Sequence, residues 1–421
     1  MKLFKQTVLF FMLFSIGLSS AQIAVETPEP AFIKSIQFRG DTFLGELPTI
    51  KLGDPLQLSF DDIIGDEHDY YYKITHHDAD WSPSRLARAE FMRGMDNVRI
   101  LNIENSVATL QLYSNYQLEI PNQFTQALTK TGNYLISIYN EEGELVFSRK
   151  FMIYNPQFAV GVQIKRSRDL NFVNEKQVVR FFVDGGEQVI INPRQNVKVV
   201  ILQNNNLKTA ITGIPPQFTV GNKLEYRYDQ ETAFWAGNEF FNFENRDIRG
   251  ATAAIRGIEL KSLYHNYLYT NLARYDIPYT FNPDINGNFV ITTLQGRTPR
   301  SEAEYAWIHF SLDLPQAKVA EGQEVHVYGN FNNYVTNNTT KLVYNPKTYK
   351  YELPMLLKQG FYNYKYVLVN EDGTIDRENA ISGNYWQTEN EYQVLVYYRR
   401  PGGRFDELVG LGSSNSSVIT N

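Results

Sequence analysis

Along most of the chain, apolar side chains recur at every second position. The pattern runs through residues 32–38, 56–60, 70–74, 107–112, 134–139, 197–202, 264–269, 325–328, 362–368 and 392–398. Successive side chains of a strand point to opposite faces, so a period of two marks half-buried strands. Between such runs stand Glu142-Gly143, Asp184-Gly185-Gly186, Asn286-Gly287 and Asp372-Gly373, which accept the positive φ that tight antiparallel hairpins need. A period of 3.6 shows only over residues 84–93, where Leu86, Ala87 and Met92 gather on one side and predict one short helix. Many short strands with almost no helix predict an all-β chain built from β-sandwiches, and they exclude a large α/β enzyme core.

The length of 421 residues, at ~100–200 per domain, allows two to four domains, and the punctuation favours three. One boundary falls at Asn155-Pro156, where an apolar strand runs into a proline, and another in the polar stretch 295–302 with Gly296 and Pro299. The expected organisation is three tandem immunoglobulin-like antiparallel β-sandwiches: an N-terminal domain at 22–155, a middle domain at 156–300 and a C-terminal domain at 301–400. Residues 401–421 carry Gly402-Gly403 and the run Gly412-Ser413-Ser414-Asn415-Ser416-Ser417, and predict a flexible tail.

The first residues change the setting. Lys2 and Lys5 precede an apolar run over 8–18, and Ser19-Ser20-Ala21 follows, which is the grammar of a secretory signal peptide cleaved after Ala21. The run is too short for a stop-transfer helix, which needs about 20 apolar residues. Composition narrows the partners. Forty Lys plus Arg against 46 Asp plus Glu give a net charge of −6 with no basic block, which argues against nucleic acid. With no cysteine, disulfide frameworks, cysteine nucleophiles and thiolate metal sites are impossible. At 43% hydrophobic residues, with 28 Tyr and 27 Phe, the chain must fold on packed cores.

Candidate chemistry is thin. The densest polar cluster is His68, His76, His77, Asp78 and Asp80, ahead of Trp81. On a strand His76 and His77 point to opposite faces and cannot chelate one ion, so the cluster reads as a surface turn and no metal is expected. No G-x-S-x-G elbow and no phosphate loop occur, and the pairs Asp61-Asp62 and Glu141-Glu142 read as solvated turn charge. No catalytic residue, no metal ligand and no cofactor site is assigned, and the chain is expected not to be an enzyme. The remaining local feature is an aromatic segment, Phe234-Trp235, Phe240-Phe241 and Phe243, interleaved with Asn and Glu. It predicts either core filling or a partner surface.

Two stretches carry resemblances. Tyr70-Tyr71-Tyr72-Lys73-Ile74-Thr75 followed by His76-His77-Asp78-Ala79-Asp80-Trp81-Ser82-Pro83 resembles a Bacteroidota exported family, the plug proteins of the type IX secretion system. The likeness continues through Tyr113-Ser114-Asn115-Tyr116-Gln117-Leu118-Glu119-Ile120-Pro121-Asn122 and Gly132-Asn133-Tyr134-Leu135, and extends over nearly the whole mature chain. It implies a non-enzymatic periplasmic protein, peripheral to the inner side of the outer membrane. Its partner would be the giant outer-membrane β-barrel translocon, whose periplasmic opening it docks on and seals. The residues that touch the barrel are not assigned by the resemblance.

The second likeness lies in the C-terminal third. Val325-His326-Val327-Tyr328-Gly329-Asn330-Phe331-Asn332-Asn333-Tyr334 and Gly360-Phe361-Tyr362-Asn363-Tyr364-Lys365-Tyr366-Val367 resemble early-set glycogen-binding modules. In that comparison Lys365 matches the sugar-side lysine, but Tyr334 replaces the first stacking tryptophan and no tryptophan stands near Asp372-Gly373. The likeness is one of fold. An alternative function, a periplasmic polysaccharide-binding protein using this module, follows from it. Tyr-rich alternating strands also suit an outer-membrane barrel, with Lys73, Lys198, Lys341 and Lys365 facing a lumen.

Overall fold

In a computed structural model of the chain, residues 23–40 and 47–419 are described; the expected signal peptide lies outside them. Strands dominate, and the helices are single turns, such as Arg88–Phe91 within the expected helical stretch. Three sandwich units follow from the pairing. The all-β reading holds, but the order along the chain is not tandem.

The first unit packs the sheet Ile33–Arg39, Leu56–Asp62, Ser114–Ile120, Asn102–Asn105 on the sheet Thr49–Lys51, Leu145–Tyr154, Gly132–Tyr139, Tyr71–His77, Val98–Arg99. Pairing is antiparallel except where Thr49–Lys51 runs parallel to Leu145–Tyr154. Between the sheets Phe60 stacks on Tyr116 at 5.1 Å and meets Phe147 edge-on at 5.1 Å, all three fully buried. Such ring pairs add ~0.5–1.5 kcal/mol each beyond the area they bury.

The second unit begins with Ala159–Arg166, Lys176–Asp184, Phe218–Val220 and Lys223–Tyr226 in one sheet. Its other sheet is Ile211–Thr212, Val197–Gln203, Glu391–Tyr398, Glu407–Asn415, so two of its strands come from the C-terminus. The third unit is therefore nested inside the second. Its strands Phe241–Glu244, Phe289–Ile291 and Glu324–Tyr328 all pair with Gly360–Val369, while Tyr264–Leu268 runs parallel to Tyr305–Asp313.

Three expectations are corrected by this pairing. No boundary falls at residues 300/301, since strands on both sides of it share two sheets and one core. The segment 301–400 is not one domain either, because Glu391–Tyr398 belongs to the second unit through seven residues of register with Val197–Gln203. Within the expected flexible tail, Glu407–Asn415 is a strand with Leu408 and Val409 fully buried; Gly410 and Gly412 are there because a Cβ at either would strike Val160. The run 107–112 is a loop, not a strand. Its backbone is tied to the third unit, Val107 N–H to Ser301 O at 2.8 Å and Leu110 N–H to the Glu304 carboxylate at 2.6 Å.

Candidate functional site at the domain junctions

The His/Asp turn read as surface is buried between the first and second units. Strand Tyr71–His77 pairs with Gly132–Tyr139, which places His77 opposite Asn133. Beyond it the chain reverses: Asp78 N–H reaches Ser82 O and Trp81 N–H reaches Asp78 O, both at 2.9 Å. Trp81 takes φ +64, a left-handed conformation costing an aromatic residue ~1 kcal/mol or more. The reward for that shape is on the other side of the junction. Asp406, 1% exposed, accepts from Ala79 N–H at 3.1 Å, and its own N–H donates to Asp78 Oδ1 at 2.9 Å. Arg399 bridges Asp78 at 2.7 Å and Asp406 at 2.8 Å, and Lys198 adds a third charge at 3.0 Å from Asp406. Burial works to lower the Arg399 pKa, but the two carboxylates outweigh it and the net shift is upward.

Behind the turn, Tyr397 donates to Asn133 Oδ1 at 2.7 Å while Asn133 donates to Asp78 O at 2.9 Å, with both side chains buried. His76 is 4% exposed; its Nε2–H donates to Thr131 O at 3.0 Å and its Nδ1 accepts from Ser84 at 2.8 Å. That is a neutral imidazole, and burial pushes its pKa down to about 4. His77 bonds Thr75 and the Trp81 carbonyl, and burial lowers its pKa too. His68 stands apart, paired at 2.8 Å with Asp62. Among the described residues, no group of three or more His, Asp or Glu side chains could hold a metal ion.

The first and third units meet over a buried ion pair. Asp61 and Asp62 are not solvated turn charge; they end the strand Leu56–Asp62 and both are fully buried. Lys358, 2% exposed, reaches Asp61 at 2.7 Å, donates to Arg300 O at 2.7 Å, and lies 3.9 Å over the Tyr113 ring. Asp61 also accepts from Tyr305 at 2.6 Å and Asn115 at 2.7 Å. Tyr113 crosses in the other direction, donating to Ala303 O at 2.9 Å. Both Asp61 oxygens accept from donors and the Lys358 ammonium has two oxygen partners and a ring face, the condition under which a buried pair is tolerated, while Asn115 Oδ1 is left without a hydrogen bond. Burial lowers the Lys358 pKa, and Asp61 restores only part of it.

The aromatic segment is the crossing between the second and third units. Phe234 sits in the core of the second, 5.4 Å from Tyr392, and Phe243 in that of the third, stacked 5.0 Å from Tyr362. Between them Glu239 is buried, accepting from Tyr279 at 2.6 Å and Glu389 N–H at 3.0 Å, and burial raises its pKa. The segment fills cores and is not a partner surface. It also covers the residues matched to a sugar site. Lys365 lies 3.9 Å over the Phe240 ring, its pKa pushed down by burial to about 8, and buried Tyr334 packs 4.9 Å from Tyr328.

Sequence reasoning singled out the turn and the aromatic crossing but missed Asp61, Asn133, Glu304, Lys358, Tyr397, Arg399 and Asp406. One signal was available: Asp61 sits one residue past Phe60 in a strand with no turn residue before it. Of the others, Asn133, Lys358 and Tyr397 are ordinary polar residues in alternating strands, and Glu304, Arg399 and Asp406 stand just outside strand ends.

Three β-sandwiches, one nested in another and all joined through buried polar junctions, define a multi-unit all-β body. Residues 33–155 match the family described as type 9 secretion system plug protein 1st domain, which ties this part of the chain to the type IX secretion system plug family. The match supports a role in type IX secretion. A crystal structure of a hypothetical protein from Parabacteroides merdae is similar over 94% of this chain and 100% of its own, at 29% identity and a TM-score of 0.88. A biofilm-associated protein BSP domain aligns over 94% of this chain and 61% of its own, but at 7% identity and a TM-score of 0.18 it carries no argument. No curated protein matches the chain.

Proposed function

We propose that the protein is a plug of the type IX secretion system that docks on the periplasmic opening of the outer-membrane β-barrel translocon and seals it. The observation that carries this reading is the family match over residues 33–155. The physical case supports it: closing a wide, water-filled barrel calls for a body that does not deform when pressed against the rim. Here each unit is joined to both others. Asp78, Arg399 and Asp406 hold one junction, Asp61 and Lys358 a second, and the crossing with Glu239 the third. Among the described residues no helix is long and apolar enough to cross a membrane, so attachment through a partner suits the reading.

The test is a pull-down of the affinity-tagged protein from detergent-solubilised envelopes of its native host, with mass spectrometry of the bound proteins. One giant outer-membrane barrel is expected, enriched when secretion cargo is absent. Recovery of no barrel would overturn the proposal. Washing membranes with carbonate and high salt should release at least part of the protein, as befits a docked plug rather than an integral barrel.

A further inference from the structure

A cleft of about 770 Å³ opens between the second and third units, within the size range of ligand sites and at the kind of place where they form. Four aromatic residues line it: Tyr275, Tyr279, Tyr385 and Trp386. We propose that this cleft binds a basic polypeptide segment, taking an arginine or lysine side chain against these rings and between carboxylates.

Three observations select that chemistry. The first is the state of the polar groups. Two amides of the cleft are spent inside the fold: Asn384 accepts from Gly237 N–H at 3.0 Å and donates to Arg377 O at 2.8 Å, while Gln323 donates to Asn370 and to Asp376 and accepts from Ala320 N–H. The side-chain carboxylates of Glu175, on the wall from the second unit, and Glu378, on the wall from the third, have no hydrogen bond or ion pair among the described residues. Two of the unused groups are thus charged acceptors on opposite walls, which suit a donor-rich, positively charged ligand.

The second observation is charge. Glu175, Asp376 and Glu378 line the cleft against a single ammonium, that of Lys318. The third is that the rings already hold cations from the chain itself. Lys318 Nζ lies 4.4 Å over Tyr275, and the Arg166 guanidinium lies 4.6 Å over Trp386. A neutral glycan would use the same rings but would leave the carboxylates of Glu175 and Glu378 without a counter-charge. A guanidinium would find a ring face and a carboxylate together.

This inference does not rest on the plug reading, and the envelope pull-down does not bear on it. The test is calorimetric titration of the full chain with acetyl-Gly-Arg-Gly-Arg-Gly-amide, with its citrulline analogue, which keeps the shape and loses the charge, and with maltoheptaose. The arginine peptide should bind at least about tenfold more tightly than the citrulline one, and added salt should weaken it. The double substitution E175Q/E378Q should abolish that preference while leaving the near-UV circular dichroism unchanged, since neither carboxylate supports the fold. Equal affinity for the two peptides, no peptide binding up to millimolar concentration, an unaltered preference in E175Q/E378Q, or binding of maltoheptaose in place of the peptide would each overturn the proposal.

Discussion

Replacing Lys358 with methionine separates the two terms that make up a buried ion pair. At the 2.7 Å separation from Asp61, an effective dielectric near 20 gives an attraction of ~6 kcal/mol. Desolvating two groups that are 2% and 0% exposed costs several kcal/mol per ion, so the intact pair is close to neutral against an apolar substitute. Lys358→Met cancels the attraction but leaves the Asp61 carboxylate buried. The expected loss is ~3 kcal/mol, the low end of the ~3–5 range for a broken pair, because Tyr305 and Asn115 still donate to Asp61. Asp61→Asn should cost a similar amount by stranding the ammonium. The double variant D61N/K358M should recover most of the loss, with a coupling energy of ~3 kcal/mol or more. Urea midpoints give the total, and hydrogen exchange of the strands Leu56–Asp62 and Lys350–Lys358 shows whether the first–third junction opens first. Single variants costing under ~1 kcal/mol each, and simply adding in the double, would refute the reasoning.

His76 supplies a pH dependence. Its folded pKa of about 4 lies below the free value of 6.5, so the unfolded chain binds more protons between these limits; stability is complete above pH 6.5 and falls as pH drops toward 4. The contribution is up to ~3 kcal/mol, and His76→Gln should flatten that part of a pH–stability curve relative to wild type. Tyr397→Phe leaves Asn133 Oδ1 buried without its donor and should cost ~1–3 kcal/mol in urea unfolding. Ending the chain after Phe405 removes the strand Glu407–Asn415 and exposes the edge of Glu391–Tyr398. Such a product should aggregate or fall to a protease that leaves the full chain intact, whereas a soluble truncation with an unchanged melting curve would contradict the pairing.

The sequence by itself determined the all-β character. Alternation at 70–74, 134–139 and 392–398 is a local consequence of the pleat, and each run lies within a strand or, for 70–74, begins one residue before it. It also marked the His/Asp turn and the aromatic crossing as unusual, and it carried the family resemblance. What it left to the tertiary structure was which strands pair. A period of two states that one face is buried but not against what, so Glu391–Tyr398 read as the close of the preceding domain when it completes an earlier one. Gly412 has the look of linker composition because the Val160 side chain that requires a glycine there lies some 250 positions away in the chain. The same holds for charge. Asp61 and Lys358 are 297 residues apart, and Asp78 and Asp406 are 328 apart. Read one at a time they are surface residues; their burial becomes tolerable only when the fold brings each to its partner, and no local pattern records that.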